Sequence, residues 1–203
     1  MSAVLALATG LAMAVPAPAV AATSTDPDWP CVRVMVPEMS PGLIWSGPPI
    51  DGIDPTAWQK DPEVRDLVLR VTDRRVPPDK AAAAINEFAA GLTPEEKTDR
   101  LVLLFSGAFH TLQEERGDSL EAIRRYAAGQ RTMLDRISGH LKQMETQQEG
   151  TPDWQRTADE LATDRRVLDE RRRMLTAVCD RPVLFEQRLG ILARTIAPHL
   201  PAE

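Results

Sequence analysis

Aromatic residues are scarce in this 203-residue chain: they make up 4%, with a single tyrosine. Its core must therefore be built from Leu, Val, Ile and Ala. Lysine is nearly absent, four residues against twenty arginines, and Asp plus Glu outnumber Lys plus Arg by 30 to 24, a net charge of −6. Such a chain lacks the positive excess on which general nucleic-acid affinity rests, so no nucleic-acid partner is expected. Whole classes of catalytic motif are missing as well. The sequence has no Gly-x-Ser-x-Gly, no Ser-x-x-Lys, no Cys-x-x-Cys and no glycine-rich phosphate loop. No enzyme activity, cofactor or resident metal is expected on that ground. What is present, 43% hydrophobic and 27% charged residues at a mean hydropathy of −0.26, fits a globular chain rather than a disordered one.

Charge is also absent from the beginning. The first charged residue is Asp26, and Ala3 to Ala22 is a weakly apolar run ending in the small-x-small pattern Ala19-Val20-Ala21. That is the outline of a signal peptide over residues 1–22, which predicts a periplasmic or secreted protein. Left uncut, the same 20 residues would just span a bilayer and make the membrane a partner. Two cysteines follow, Cys31 and Cys179. In an oxidising compartment the simplest expectation is one disulfide between them.

Residues 23–61 differ in composition from the rest. Seven of the 17 prolines and three of the four tryptophans (Trp29, Trp45 and Trp58) fall there. Proline fixes φ and removes a donor, so the segment reads as an extended arm rather than a helix. Val32, Val34 and Val36 alternate with Arg33 and Met35, the pattern of a short strand or an extended arm. An extended arm must lay its tryptophans on something. Either they pack on the protein's own helices, or Trp45 in Trp-Ser-Gly-Pro-Pro anchors a partner.

From residue 62 to 203 every local signal is helical, giving an all-α domain. Asp61-Pro62-Glu63 is an N-cap followed by Pro at N1, and Val64, Leu67, Val68 and Val71 form one face. Pro77-Pro78-Asp79 opens a second helix, with Ile85 and Phe88, that closes near Gly91. Thr93 and Glu96 make a capping box ahead of the stripe Leu101, Leu104, Phe105, Ala108, Phe109 and Leu112. Gly117 reads as a stop, with Asp118 and Glu121 capping the next helix.

That next helix carries the clearest pattern in the chain. Leu120, Ile123, Ala127, Gln130, Leu134, Ile137, Leu141 and Met144 alternate steps of three and four, a heptad seam with one polar interruption. Thr151-Pro152-Asp153 starts a return helix after a short polar link, so residues 119–178 are expected to form an antiparallel coiled-coil hairpin that projects from a helical core. Trp154, Leu161, Leu168, Leu175 and Cys179 continue its seam, with Arg165 and Arg172 intruding; Gln130 is placed to bond to one of them. A separate last helix is expected after Asp180-Arg181-Pro182, with Phe185, Leu189, Leu192 and Ile196 buried.

Arg165, Arg166 and Arg172 belong to a five-arginine run interleaved with Asp164, Asp169 and Glu170. The run reads as a self-compensating helix face or as a surface for an acidic partner. His110, His140 and His199 lie on separate segments without ligand spacing, His110 partly buried and His140 facing solvent. The function these patterns favour is a non-enzymatic, exported interaction, adaptor or chaperone-like accessory module. Its partner would be another envelope protein or a second copy of the chain, and Trp45, Arg165, Arg166 and Arg172 are the candidate surface. The alternative is a small periplasmic ligand or metal sensor that uses His110 and His140 with nearby Glu or Met.

Overall fold

The computed structural model describes residues 28–201; the expected signal peptide lies outside them. The fold is all-α, with no strand among the described residues. Four helices follow the arm: α1 (Pro62–Thr72), α2 (Pro78–Gly91), α3 (Pro94–Thr146) and α4 (Pro152–Ile196). Among the described residues, no helix is long and apolar enough to cross a membrane.

The helix starts lie where the sequence puts them. Asp61 accepts from the backbone N–H of Glu63 and Val64, both at 3.1 Å, and caps α1. Thr93 and Glu96 close the capping box of α3. Arg100 joins the two starts, gripping Asp61 through Nε and Nη2 at 2.8 and 3.0 Å and Glu63 at 2.6 Å. Its guanidinium also lies over the Phe88 ring, 4.9 Å from the centroid. One arginine thereby ties α1, α2 and α3 at one end of the core.

Two expected breaks are absent. Helix α3 runs through Gly117 for 53 residues, and α4 runs through Pro182 for 45. An interior glycine costs only ~1 kcal/mol and a proline ~3 kcal/mol. Both costs are outweighed by the packing on either side, because Leu112, Arg116 and Leu120 flank the glycine while Leu189 and the buried Pro182 itself anchor the far stretch. The last helix of the sequence reading is thus the second half of α4.

The main core gathers α1, α2, the start of α3 and the end of α4. Phe105, Ile85, Leu101, Leu104, Leu112, Leu189, Leu192 and Ile196 are fully buried in it. The arm contributes to this core. Trp45 is 7% exposed and stacks on Phe105 with ring centroids 4.1 Å apart, and Trp58 is buried. Each indole N–H is closed within the arm, Trp45 onto the Pro48 carbonyl at 2.7 Å and Trp58 onto that of Pro55 at 2.9 Å. Gly107 permits the approach of Trp58: a Cβ there would lie 2.7 Å from Val68 Cγ2 and 2.8 Å from Trp58 Cγ. Trp45 is therefore a core residue, and its candidacy as a partner anchor is corrected. The arm itself is irregular, with 3₁₀ turns at Pro41–Leu43 and Ala57–Lys60. Val32, Val34 and Val36 form no strand and are exposed.

Beyond Leu112 the two long helices continue as a hairpin of about 50 Å, at 1.5 Å per residue. Gln147–Thr151 turns it, with Gly150 at φ +83°. A smaller apolar cluster of Met133, Ile137, Leu161 and Leu168 holds its outer part.

Candidate functional site

The Cys31–Cys179 bond is formed, with the two Cα atoms 5.6 Å apart, and the described residues contain no free cysteine. It fastens the start of the arm to α4 at the base of the hairpin. Where the arm then crosses α3 and α4, an open cleft of about 580 Å³ remains. Val34, Met35, Val36 and Leu43 form one wall, and Leu120, Cys179, Pro182 and Val183 contribute to the other. Leu43 is 88% exposed, and Val34 and Val36 are about half exposed.

Arg116 holds the arm open at this position. Its side chain is nearly buried, with Nε on Glu186 Oε1 at 2.8 Å, Nη2 donating to the Val36 carbonyl at 2.8 Å and Nη1 to that of Pro37 at 3.1 Å. A guanidinium spreads five donors in a rigid fork, which suits a job divided between a carboxylate and two carbonyls. Gln113 adds a further tie, its Oε1 accepting from the Met39 N–H at 3.0 Å. Among the described residues, no backbone-to-backbone hydrogen bond engages residues 29–39. Arg33 and Arg194 also line the cleft, and neither has an ion-pair partner among the described residues. The cleft is thus largely apolar, with partly open backbone on one side and, among the described residues, three charged side chains that form no ion pair, Arg33, Arg194 and Glu38.

The hairpin is built differently from its expected register. On α3, Met133 and Ile137 are buried while Leu134 and Leu141 are 44% and 41% exposed. On α4, Asp164 and Arg171 take the seam positions expected for Arg165 and Arg172, which are exposed. Gln130 reaches neither arginine; its Nε2 is buried without a partner. Asp164 is instead bound by Arg136 through Nε and Nη2 at 2.5 and 2.6 Å. His140 lies beside the pair, Nε2 3.5 Å from Asp164 and Nδ1 3.7 Å from Glu160, with its side chain only 15% exposed. This corrects the solvent-facing placement of His140. Tyr126 donates to the Arg171 carbonyl, and Arg171 lies over its ring at 5.9 Å.

Arg136 holds the Asp164 carboxyl below its usual range, against the opposing effect of burial. A depressed folded value gives stability that is complete above the ordinary carboxylate value, 3.8, and is lost as pH falls through the folded value. Urea midpoints followed by circular dichroism should therefore fall more steeply in the wild type than in Asp164→Asn below pH ~4. Equal pH dependence in the two proteins would show that the pair contributes nothing to the hairpin.

The remaining sequence candidates stay apart. Arg172 pairs with Asp169 at 3.8 Å and Arg173 with Glu170 at 3.6 Å, both one helical turn away on the surface. Arg165 and Arg166 are exposed. His110 sits edge-on to Phe109, where burial lowers its pKa, and His199 meets Asn86 at 2.8 Å. No group of three His, Cys, Asp or Glu able to hold a metal occurs among the described residues. Sequence reading missed Arg116. Its only local signal is a charged residue between apolar stripe positions, which a nearby glycine stop made look like a helix end.

No protein-family model, curated protein or solved structure matches this chain.

Proposed function

We propose that the protein is an exported, non-enzymatic interaction module whose arm cleft holds an extended apolar segment of a partner envelope protein. The observation that carries this reading is the cleft itself: exposed Val34, Val36 and Leu43 on a disulfide-fastened arm whose residues 29–39 make no backbone-to-backbone hydrogen bond among the described residues. Arg116 already holds the Val36 and Pro37 carbonyls, Gln113 the Met39 N–H and the Trp29 indole the Arg33 carbonyl. An extended segment would pair with the backbone groups that remain and bury the alternating side chains, as in strand addition. Arg33 and Arg194 favour a segment that also carries a carboxylate. The disulfide supports an oxidising compartment, consistent with the expected signal peptide.

The test is mild crosslinking in the intact envelope followed by affinity purification, comparing wild type with the double variant Val34→Asp/Leu43→Asp. Both residues are exposed, so folding should be unchanged. The expected result is one defined partner, crosslinked through an apolar, acid-bearing segment and reduced at least tenfold in the variant. Recovery of the same proteins by both forms, or of none, would overturn the reading. Intact mass on the same sample should begin near residue 22 or 23 and be two hydrogens below the dithiol form.

A further inference from the structure

A second cavity, of about 290 Å³, lies on the other face of the same stretch of α4, against the junction of α1 and α2. Its wall includes three arginines, Arg74, Arg181 and Arg188, and no acidic residue, while Leu184, Phe185 and Ile191 supply an apolar surface. Leu184 is 61% exposed at this surface. None of the three arginines has an ion-pair partner among the described residues.

The nearby carboxylates lie outside this wall and form no direct ion pair with these arginines among the described residues. Asp73 is committed to Arg75, which binds it through Nε and Nη2, and that bonding holds its pKa down to about 2. Glu115 and Asp118 line an adjoining smaller cavity with Arg74 and Arg181; burial raises the Glu115 pKa, and the attraction of Arg74 and Arg188 works against that. Arg188 is fixed from below. It donates to the Val71 carbonyl at 2.6 Å and to that of Val76 at 3.1 Å, and its Nη2 is buried with no partner. Burial lowers the pKa of this guanidinium. This partly desolvated guanidinium has no direct ion pair and feels only the longer-range attraction of Asp73 and Glu115, so an anion brought close would steady it further.

We propose that this cavity binds a single-chain anionic amphiphile, with its acidic head on Arg74 and Arg181 above Arg188 and its chain along Leu184, Phe185 and Ile191. Three positive charges without a carboxylate select the sign of the head. The apolar wall distinguishes the ligand from a bare anion, and a volume at the lower end of ligand pockets suits a short or medium chain.

The experiment is calorimetric titration of the full chain with decanoate below its micelle concentration. Decyltrimethylammonium and inorganic phosphate serve as sign and chain controls. The expected result is saturable one-to-one binding of decanoate, weakened at least tenfold in both Arg181→Gln and Leu184→Asp. Both side chains are exposed, and a thermal melt confirms that each variant folds. Decyltrimethylammonium should not bind, and phosphate should bind at least tenfold more weakly than decanoate. Absence of saturable decanoate binding, wild-type affinity in either variant, or phosphate binding as tightly as decanoate would overturn the proposal. Cosedimentation with anionic phospholipid vesicles identifies the source: loss in the same two variants points to a bilayer lipid, and binding of decanoate alone to a free amphiphile. Val34→Asp/Leu43→Asp should leave decanoate affinity unchanged, so the cavity and the arm cleft are tested independently.

Discussion

Replacing both cysteines, Cys31→Ser with Cys179→Ser, should produce the largest loss of stability available from two small substitutions. The bond closes a loop with a sequence separation of 148. In the chain-entropy treatment, freeing a loop of that size from the unfolded state costs ~5 kcal/mol, and removing a natural bridge typically costs about 2–5 kcal/mol. Urea denaturation should show a midpoint shift of that size together with a larger m-value, because the uncrosslinked denatured chain exposes more surface. The emission of Trp29, which packs in the cleft beside Cys179, should move to the red before global unfolding as the head of the arm releases. A change below ~1 kcal/mol, within the range of a single ordinary contact, would mean that the tryptophans, Arg116 and Gln113 hold the arm without the bond.

The second large effect is expected at Trp45→Ala. The indole is buried, stacked at 4.1 Å on a fully buried Phe105 and bonded to the Pro48 carbonyl. Removing a buried aromatic to alanine costs about 3–5 kcal/mol through lost transfer energy and the cavity left behind, of which the stacking accounts for about 0.5–1.5 kcal/mol. For a domain of this size that corresponds to a fall in Tm of roughly 6–20 °C. Trp45→Phe keeps a ring over Phe105 and loses the N–H bond, so it should cost only about 1 kcal/mol beyond the change in area. A Trp45→Ala protein with wild-type Tm and lost partner capture would instead make Trp45 a surface anchor, against its position in the core.

Features specified by neighbours in sequence were legible before any coordinates. The caps at Asp61 and Thr93, the α1 face of Val64, Leu67, Val68 and Val71, the hairpin turn and the all-α class all follow from spacing and cap chemistry. The misreadings have specific physical causes. Gly117 and Pro182 are stop signals only when nothing around them outweighs their local cost, and the packing of both long helices does so. The seam keeps one expected position per heptad, Ile137 and Met144 on α3 and Leu161 and Leu168 on α4, and departs at the alternate one, where Met133 is buried in place of Leu134 and Asp164 in place of Arg165. The heptad pattern marks both neighbours as near the seam and does not say which of them the partner helix covers. The candidate sites were least visible. Arg116 bonds to a carbonyl 80 residues away and Arg188 to one 117 residues away. Periodicity describes which face of a helix is apolar; it carries no information about which distant carbonyl an arginine on that face will reach.

The position of the disulfide sets an order of events. In a chain delivered to its compartment amino end first, Cys31 emerges before any of α1, α2, α3 and α4, and Cys179 only after the first three and most of the fourth. It must wait as a lone thiol until Cys179 follows. During that interval the arm is covalently free, and the helices must come together before an oxidant can seal it. Only one intramolecular pairing exists, so no reshuffling is needed once both thiols are present. The hazard is instead a bond between two unfinished copies through Cys31. The covalent lock therefore cannot guide the earliest steps of folding, and the arm cleft stays unsealed until most of α4 has been delivered.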